Sequence, residues 1–184
     1  MTITEANPED ARTLAYIKQI TWLTSYTNEE YGITEADVKS KEFECEKLIH
    51  NRVQHLEADR TANQTWVARE KAEIAGYCRA VKGDEFNEIV TLYLLPKWQS
   101  KGVGSRLLRR ALEWLGDDKD VVLGVVQYNE NAIRFYEKFG FELGERIHHD
   151  APTFPSGKDL PEVAMRLKKG AVIDLECRLP FKKS

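Results

Sequence analysis

Apolar positions along this chain recur first at helical spacing, then at strand spacing, then in alternation of the two. Leu14, Ile17, Trp22 and Leu23, with Tyr26 beyond them, follow the helical period. The run opens on Asn7-Pro8-Glu9-Asp10, which reads as an N-cap, a proline at the first helical position, and acids at the positive end of the dipole. It breaks between Thr27 and Gly32, and Thr2 to Ala6 ahead of it reads as a strand. The capping-box pattern Thr34-x-x-Asp37 predicts a second, more polar helix through Leu56, with Val38, Cys45, Leu48, Ile49, Val53 and Leu56 turned inward.

From Asn63 the period changes. Thr65 to Arg69, Ile74 to Val81 and Phe86 to Leu95 are rich in Val, Ile, Tyr and Trp and are separated by Lys71-Ala72-Glu73 and Lys82-Gly83-Asp84 turns, the pattern of an antiparallel meander. A helix (Gly102 to Leu115), a strand (Val121 to Val126), a helix (Asn129 to Phe139, stopped by Gly140) and strands near Phe141 to His149 and Glu162 to Leu167 follow. Antiparallel strands followed by alternating strand and helix predict a mixed α/β domain built on one sheet. Neither a repeat nor a linker divides it, so residues 1–168 read as one domain and 169–184 as an extension. In that extension Ile173, Leu175, Cys177 and Leu179 alternate with polar residues, the pattern of an extra edge strand or one exchanged with a partner subunit.

Composition narrows the function. With 42% hydrophobic residues in 184, the chain can build a sizeable core and is not a disordered protein. Its net charge of −3 lacks the basic excess of a nucleic-acid binder. The longest apolar run, Val121 to Val126, falls far short of the ~20 residues a membrane helix needs. The N-terminus has no signal pattern, and three widely spaced cysteines suggest no disulfide framework, so a reducing cytoplasm is expected. Charge is uneven. Residues 1–60 hold 12 acids and 7 bases, whereas Lys97, Lys101, Arg106, Arg109 and Arg110 form a basic stretch without an acid, which is either a solvated helix face or a seat for an anion.

That stretch carries the candidate chemistry. A strand ends at Leu94-Leu95-Pro96, and the loop Gln99-Ser100-Lys101-Gly102-Val103-Gly104-Ser105-Arg106 opens a helix whose first N–H groups lack intrahelical partners. The two glycines let backbone approach an anion, the helix dipole favours negative charge, and Lys101 and Arg106 add to it; the alternative is an ordinary tight turn. Leu107 replaces the third glycine of a dinucleotide fingerprint, and no Gly-Lys-Ser/Thr follows, so neither that motif nor a P-loop is present.

Gln99-x-x-Gly102-x-Gly104 after a strand ending Leu94-Leu95-Pro96 resembles the acetyl-CoA motif of the GNAT superfamily of N-acetyltransferases. The stretch Val126 to Phe141 resembles that superfamily's later motif, with Asn129, Ala132, Tyr136, Gly140 and Phe141 on its positions. The resemblance spans about residues 2–168 and implies the GNAT fold: a single mixed, mostly antiparallel sheet of about seven strands flanked by about four helices. It implies that backbone around Leu94, Leu95 and Pro96 holds the pantetheine arm of acetyl-CoA, that Gln99 through Arg106 hold the pyrophosphate, and that Asn129 and Ala132 touch the cofactor. Asn129 is equally an N-cap. The reaction implied is direct attack of a neutral amine on the thioester. Leu94 or Leu95 N–H would meet the oxyanion and Tyr136 would protonate the thiolate, although Tyr136 also reads as a core aromatic. Glu88 is the candidate base, with Glu85 as the register alternative and a solvated acid as the structural one.

In the superfamily the first helices and the loop after the sixth strand wall the acceptor groove, which implies Trp22, Tyr26, Tyr31 and the Thr153 to Asp159 loop here. Within the superfamily the chain looks similar to the spermidine/spermine type. The acidic first sixty residues would attract such a cation, and a peptide N-terminus is the rival acceptor. A non-catalytic acyl-CoA-binding module would not need Tyr136. A homodimer is a further expectation. No metal is expected, because the adjacent His148, His149 and Asp150 cannot all face one ion from a strand.

Overall fold

A computed structural model describes residues 1–58, 60–144 and 154–171. Seven strands form one sheet in the order β1-β2-β3-β4-β5-β7-β6. β1 (Thr2–Glu5), β2 (Asn63–Glu70), β3 (Glu73–Val81) and β4 (Asn87–Leu94) pair antiparallel. β5 (Val121–Val126) lies parallel to β4, and β7 (Glu162–Leu167) returns antiparallel between β5 and the two-residue β6 (Glu142–Leu143). The mixed α/β fold and the meander expected from the sequence are thus present.

Helices cover both faces. α1 (Ala11–Tyr26) and α3 (Glu46–Glu57) pack Leu14, Ile17, Ile49 and Leu56 on Val67 and Tyr77 of the sheet. On the other face α4 (Val103–Leu115) and α5 (Glu130–Glu137) enclose Trp66, Cys78, Leu107, Leu108, Leu123 and Tyr136. α4 is held there by Leu107, Leu108, Ala111, Leu112 and Leu115, an apolar stripe at helical spacing. A third cluster joins Trp22, Ile33, Val38, Phe43, Val126, Phe154 and Leu160 at the end of the sheet.

The long helix expected over 34–56 is instead two. α2 (Glu35–Lys39) begins at the expected capping box, with Thr34 Oγ1 accepting from Asp37 N–H, but stops at Ser40. Glu42 takes a left-handed conformation (φ 42°), and Cys45 is the N-cap of α3 rather than a buried helix residue. The break turns Phe43 inward, 4.7 Å from the Trp22 ring, and a continuous amphipathic helix would have placed that aromatic elsewhere. Leu48 is correspondingly exposed and Val53 half-buried. Of the strand expected near Phe141 to His149, Glu142–Leu143 form β6, and residues 145–149 lie outside the described residues. His148, His149, Asp150, Thr153 and the alternating tail from Ile173 lie outside the described residues.

Candidate active site

β4 pairs with β3 nearly to its end, but with β5 over only two rungs, Asn87 with Val121 and Glu88 with Val122. Beyond Glu88 the parallel strands part. Leu95 N–H donates to the Ala75 carbonyl at 2.9 Å, so by the alternation of an antiparallel ladder Leu94 N–H points the other way, into the gap. Of the two expected oxyanion donors, Leu95 is therefore already used within the sheet. The Leu94 carbonyl accepts from Thr21 Oγ1 (3.2 Å) and Gln99 Nε2 (3.4 Å), which ties α1 and the glycine loop to the same point.

At the far side of that loop Ser100 and Gly102 both adopt left-handed conformations, φ 58° and 76°. The chain is coiled so that α4 starts at Val103 without a side-chain cap. Its first N–H groups therefore look for an acceptor outside the helix, at the positive end of its dipole. Within the basic stretch, Lys97 pairs with Glu73 (2.6 Å) and Arg110 with Glu113 (3.7 Å). Lys101 lies over the Trp98 ring and Arg106 donates to the Met1 carbonyl, both within reach of the helix start. Val103 is buried in the core and offers only backbone.

A cleft of about 940 Å³ runs from this helix start past Leu94 to α5. The expected Leu94, Gln99, Ser100, Gly102, Gly104, Ser105, Asn129, Ala132 and Tyr136 all line it, while Leu95, Pro96, Lys101, Val103 and Arg106 belong to the same segment without lining it. Asn129 Oδ1 accepts from Ala132 N–H at 3.1 Å, so the residue is the N-cap of α5 and a wall of the cleft at once. Tyr136 likewise joins two roles. Its ring packs edge-on against Phe135 and Phe141, and it is 8% exposed, toward the cleft. Burial, reinforced by Cys78 and Tyr93, raises its phenol well above the ordinary value, which keeps it protonated at any physiological pH. The buried Cys78 thiol is raised by burial too and is no nucleophile. Among the described residues no group of three His, Cys, Asp or Glu could hold a metal ion, and no helix is long and apolar enough to cross a membrane.

Thr21, Thr24 and Ser25 of α1 line the cleft and were not foreseen. Their signal was three small hydroxyls at helical spacing among aromatics. Trp22, Tyr26 and Tyr31 do not line the cleft. Trp22 is 5% exposed and donates its indole N–H to Tyr93 Oη (2.9 Å), which leaves it little surface to offer an acceptor. Tyr26 packs edge-on against Trp22, and burial raises its phenol. Tyr31 is more open and stacks on Tyr128. Glu88 sits on the last rung before the strands part, and Glu85 precedes β4 in an exposed turn. The segment 154–160 closes this side: Phe154 and Leu160 are buried against Trp22 and Val38, and Lys158 donates to the Gly32 carbonyl at 2.7 Å.

Lys18 is the unforeseen charge here. Its ammonium lies 4.6 Å from the Phe43 ring centre and 5.2 Å from Trp22. Burial, then the neighbouring Arg52, bring it down to about 8; Arg79 and Lys41 act the same way and Glu162 opposes them. Below that value both folded and unfolded chains carry the proton, and only the folded chain loses hydration around it. As pH rises toward the ordinary lysine value the folded chain releases the proton first, so this destabilisation fades. Lys18→Met is accordingly expected to raise the Tm at pH 7, by an amount that shrinks between pH 8 and about 10.5. Thermal melts of both proteins across that range check it, and a pH-independent gain would remove the titrating charge as its cause.

The model of the acetyltransferase (GNAT) family matches residues 17–141. The chain is 38% identical over 79 residues to an uncharacterised N-acetyltransferase of Mycobacterium tuberculosis strain H37Rv, an alignment covering 41% of this chain and 51% of that one. It is 35% identical over 77 residues to a mycothiol acetyltransferase of Corynebacterium efficiens, covering 40% and 26%. The chain thus spans about half, or less, of the length of these curated relatives. Among solved structures it is similar in fold to PaiA N-acetyltransferase of Thermoplasma acidophilum in complex with coenzyme A, with a TM-score of 0.67 and 24% identity over 91% of this chain and 99% of that one. The fold is also similar to yncA of Salmonella typhimurium with its cofactor acetyl-CoA, with a TM-score of 0.65 and 22% identity over 91% and 93%.

Proposed function

The chain belongs to the acetyltransferase (GNAT) family, and from that premise we propose that it is an acetyl-CoA-dependent N-acetyltransferase which acetylates the primary amine of a small molecule by direct attack. The observation that carries this reading is the convergence of Leu94 N–H, Tyr136 and the uncapped start of α4 on one cleft at the point where β4 and β5 part.

The residues present fit the cofactor. The bare N–H groups of α4, with Lys101 and Arg106 beside them, suit a pyrophosphate. The unpaired edge of β4 suits the amides of a pantetheine arm. When bound, acetyl-CoA supplies a thioester carbonyl open to attack and a thiolate as leaving group. Leu94 N–H is aimed to donate to the oxygen on which charge develops. Tyr136 would be placed to donate a hydrogen bond to the sulfur on which charge develops, and its raised pKa keeps the phenol protonated at physiological pH. Glu88, at the vertex of the gap, receives the amine's proton. In balance, a C–N bond would form and the C–S bond break, and the proton that the amine gives up to Glu88 would be passed to solvent as the departing thiolate takes one up.

The covered groove at 154–160 supports a small acceptor over a peptide. Polyamines, favoured by the excess of acids in residues 1–60, belong in the first panel. The test is thiol release from acetyl-CoA with polyamines, amino acids, aminoglycosides and short peptides, alongside calorimetric cofactor binding. Cofactor binding without turnover on any of them would favour a binding module.

Gly102→Val should separate the cofactor site from the rest. A Cβ there meets nothing within 4 Å, so it projects into the space where the pyrophosphate would lie. The left-handed backbone adds about 1–2 kcal/mol of strain. The expected result is acetyl-CoA affinity lowered about tenfold or more, with a Tm only a few degrees lower. Unchanged affinity would move the anion site off the loop.

A further inference from the structure

On the α1 side of the parted strands stand charges that acetyl transfer itself does not use. Arg79 of β3 pairs across the ladder with Thr91, three residues before Leu94, and shares the sheet face of Tyr77 and Tyr93 beneath α1 and α3. Arg52 of α3 approaches the same face, with Nη1 donating to Tyr77 Oη at 3.4 Å and Nε buried without a partner. Lys18 enters from α1 over Phe43 and Trp22. Among the described residues none of these three cations has a carboxylate within ion-pair distance. Arg79 Nε donates to Asn63 Oδ1 (2.9 Å), and Glu88 is its favourable charged neighbour. Carboxylates stand at the gap itself. Glu88 is on its vertex, and the Glu162 carboxyl lies over Gly124, two residues past the last β4–β5 rung.

The acids that make residues 1–60 negative face elsewhere. Glu29, Glu30, Glu35, Glu42, Glu44 and Glu46 are exposed on the outer surface. Asp10 is taken by Arg69 and Asp37 by its helix cap. Net charge along the chain therefore does not describe this face, where Lys18, Arg52 and Arg79 gather with Glu88 and Glu162 as their neighbouring acids. Like charges gathered on a half-buried face destabilise the free fold even where acids stand nearby, as Glu88 does for Arg79 and Glu162 for Lys18, and an anion placed among them reduces that penalty.

We propose that the acceptor is a primary amine carrying its own anionic group, a carboxylate before a phosphate, which Lys18, Arg52 and Arg79 hold while the amine faces Glu88 and Glu162 at the gap. An amino acid or a close derivative meets this description. The inference rests on the acetyl-transfer reading for its chemistry, but its binding half can be tested alone.

The experiment measures thiol release from acetyl-CoA with the L-amino acids, their amides, O-phosphoethanolamine, ethanolamine and spermidine, together with the thermal shift each gives the coenzyme A-bound protein. Lys18→Met and Arg79→Gln are run beside the wild type. The expected result is turnover of one or more free amino acids, kcat/KM at least tenfold lower for the matching amide, and KM raised tenfold or more in both variants with acetyl-CoA affinity unchanged. Preference for O-phosphoethanolamine over the amino acids would keep the anion site and assign it to phosphate. Turnover of spermidine or of amides at least as good as that of the acids would overturn the inference and leave acetyl transfer standing. If no acceptor releases thiol, a Tm increase from free acids that both variants lose would retain the anion site and count against acetyl transfer. Absence of that increase would overturn the inference outright.

Discussion

Tyr136→Phe should lower kcat about a hundredfold while leaving acetyl-CoA affinity and Tm close to wild type. The substitution deletes one hydroxyl and keeps the ring that packs edge-on against Phe135 and Phe141. Among the described residues no hydrogen bond from that hydroxyl to protein is recorded, so its removal leaves no buried partner unsatisfied. A donor needed mainly when charge develops on sulfur affects kcat and kcat/KM together. Because burial raises the phenol well above its ordinary value, no loss of activity below pH 10 should come from its ionisation. Any pH limb in that range belongs to a group other than Tyr136. Steady-state kinetics with pH profiles of both proteins, plus calorimetry, check this. Equal kcat values would leave Tyr136 as core and require another donor to the sulfur.

The parts of this site that were legible in sequence are those in which one local rule dictates geometry. Gly102 and Gly104 follow a strand-ending proline, and a helix start with bare N–H groups results whatever else the fold does. Asn129 read as a cap because a cap bonds three residues ahead, and Ala132 N–H is found on it. The α4 stripe and the alternation of β2, β3 and β4 are similarly local.

What failed to read was set by tertiary packing. The break after Lys39 exists because Phe43 is turned onto Trp22, and no spacing within residues 34–56 announces that contact. Thr21, Thr24 and Ser25 became cleft residues because α1 crosses the end of β4, where Thr21 meets the Leu94 carbonyl. Trp22 and Tyr26, implied as groove walls by the resemblance, are held inward by the Tyr93 hydroxyl and by each other. Lys18, Arg52 and Arg79 lie on three different elements, so their convergence has no sequence spacing at all. That is also why a charge total over residues 1–60, which pointed to a cationic acceptor, does not register the three cations gathered on this face.

Gly76→Ala should damage catalysis as severely as a change at the reacting groups, without touching any ligand. Gly76 pairs with Leu94 across β3 and β4. A Cβ at that position would lie 2.5 Å from the Tyr93 carbonyl oxygen and 3.0 Å from Leu94 Cα. Both are backbone atoms, so no side-chain rotation relieves the clash and the end of β4 must move. The atom displaced with it is the Leu94 nitrogen, the proposed oxyanion donor. A displacement of about 1 Å at a positioned group is enough for a hundredfold loss of kcat. Overpacking of this kind costs about 1–3 kcal/mol, equivalent to a Tm lower by roughly 2–12 °C in a chain of this size. Acetyl-CoA affinity should fall less than kcat, since the α4 start and Gln99 side of the cleft are anchored separately by the core. Two controls isolate the cause. Gly144→Ala, where a Cβ meets only Arg166 Cβ at 3.8 Å, should leave kcat and Tm near wild type. Leu115→Val, at the far end of α4 in the core, should lower Tm without a matching loss of kcat. If Gly76→Ala kept full kcat, the position of Leu94 N–H would be irrelevant to turnover, and the oxyanion would have to be met from the β5 side of the gap.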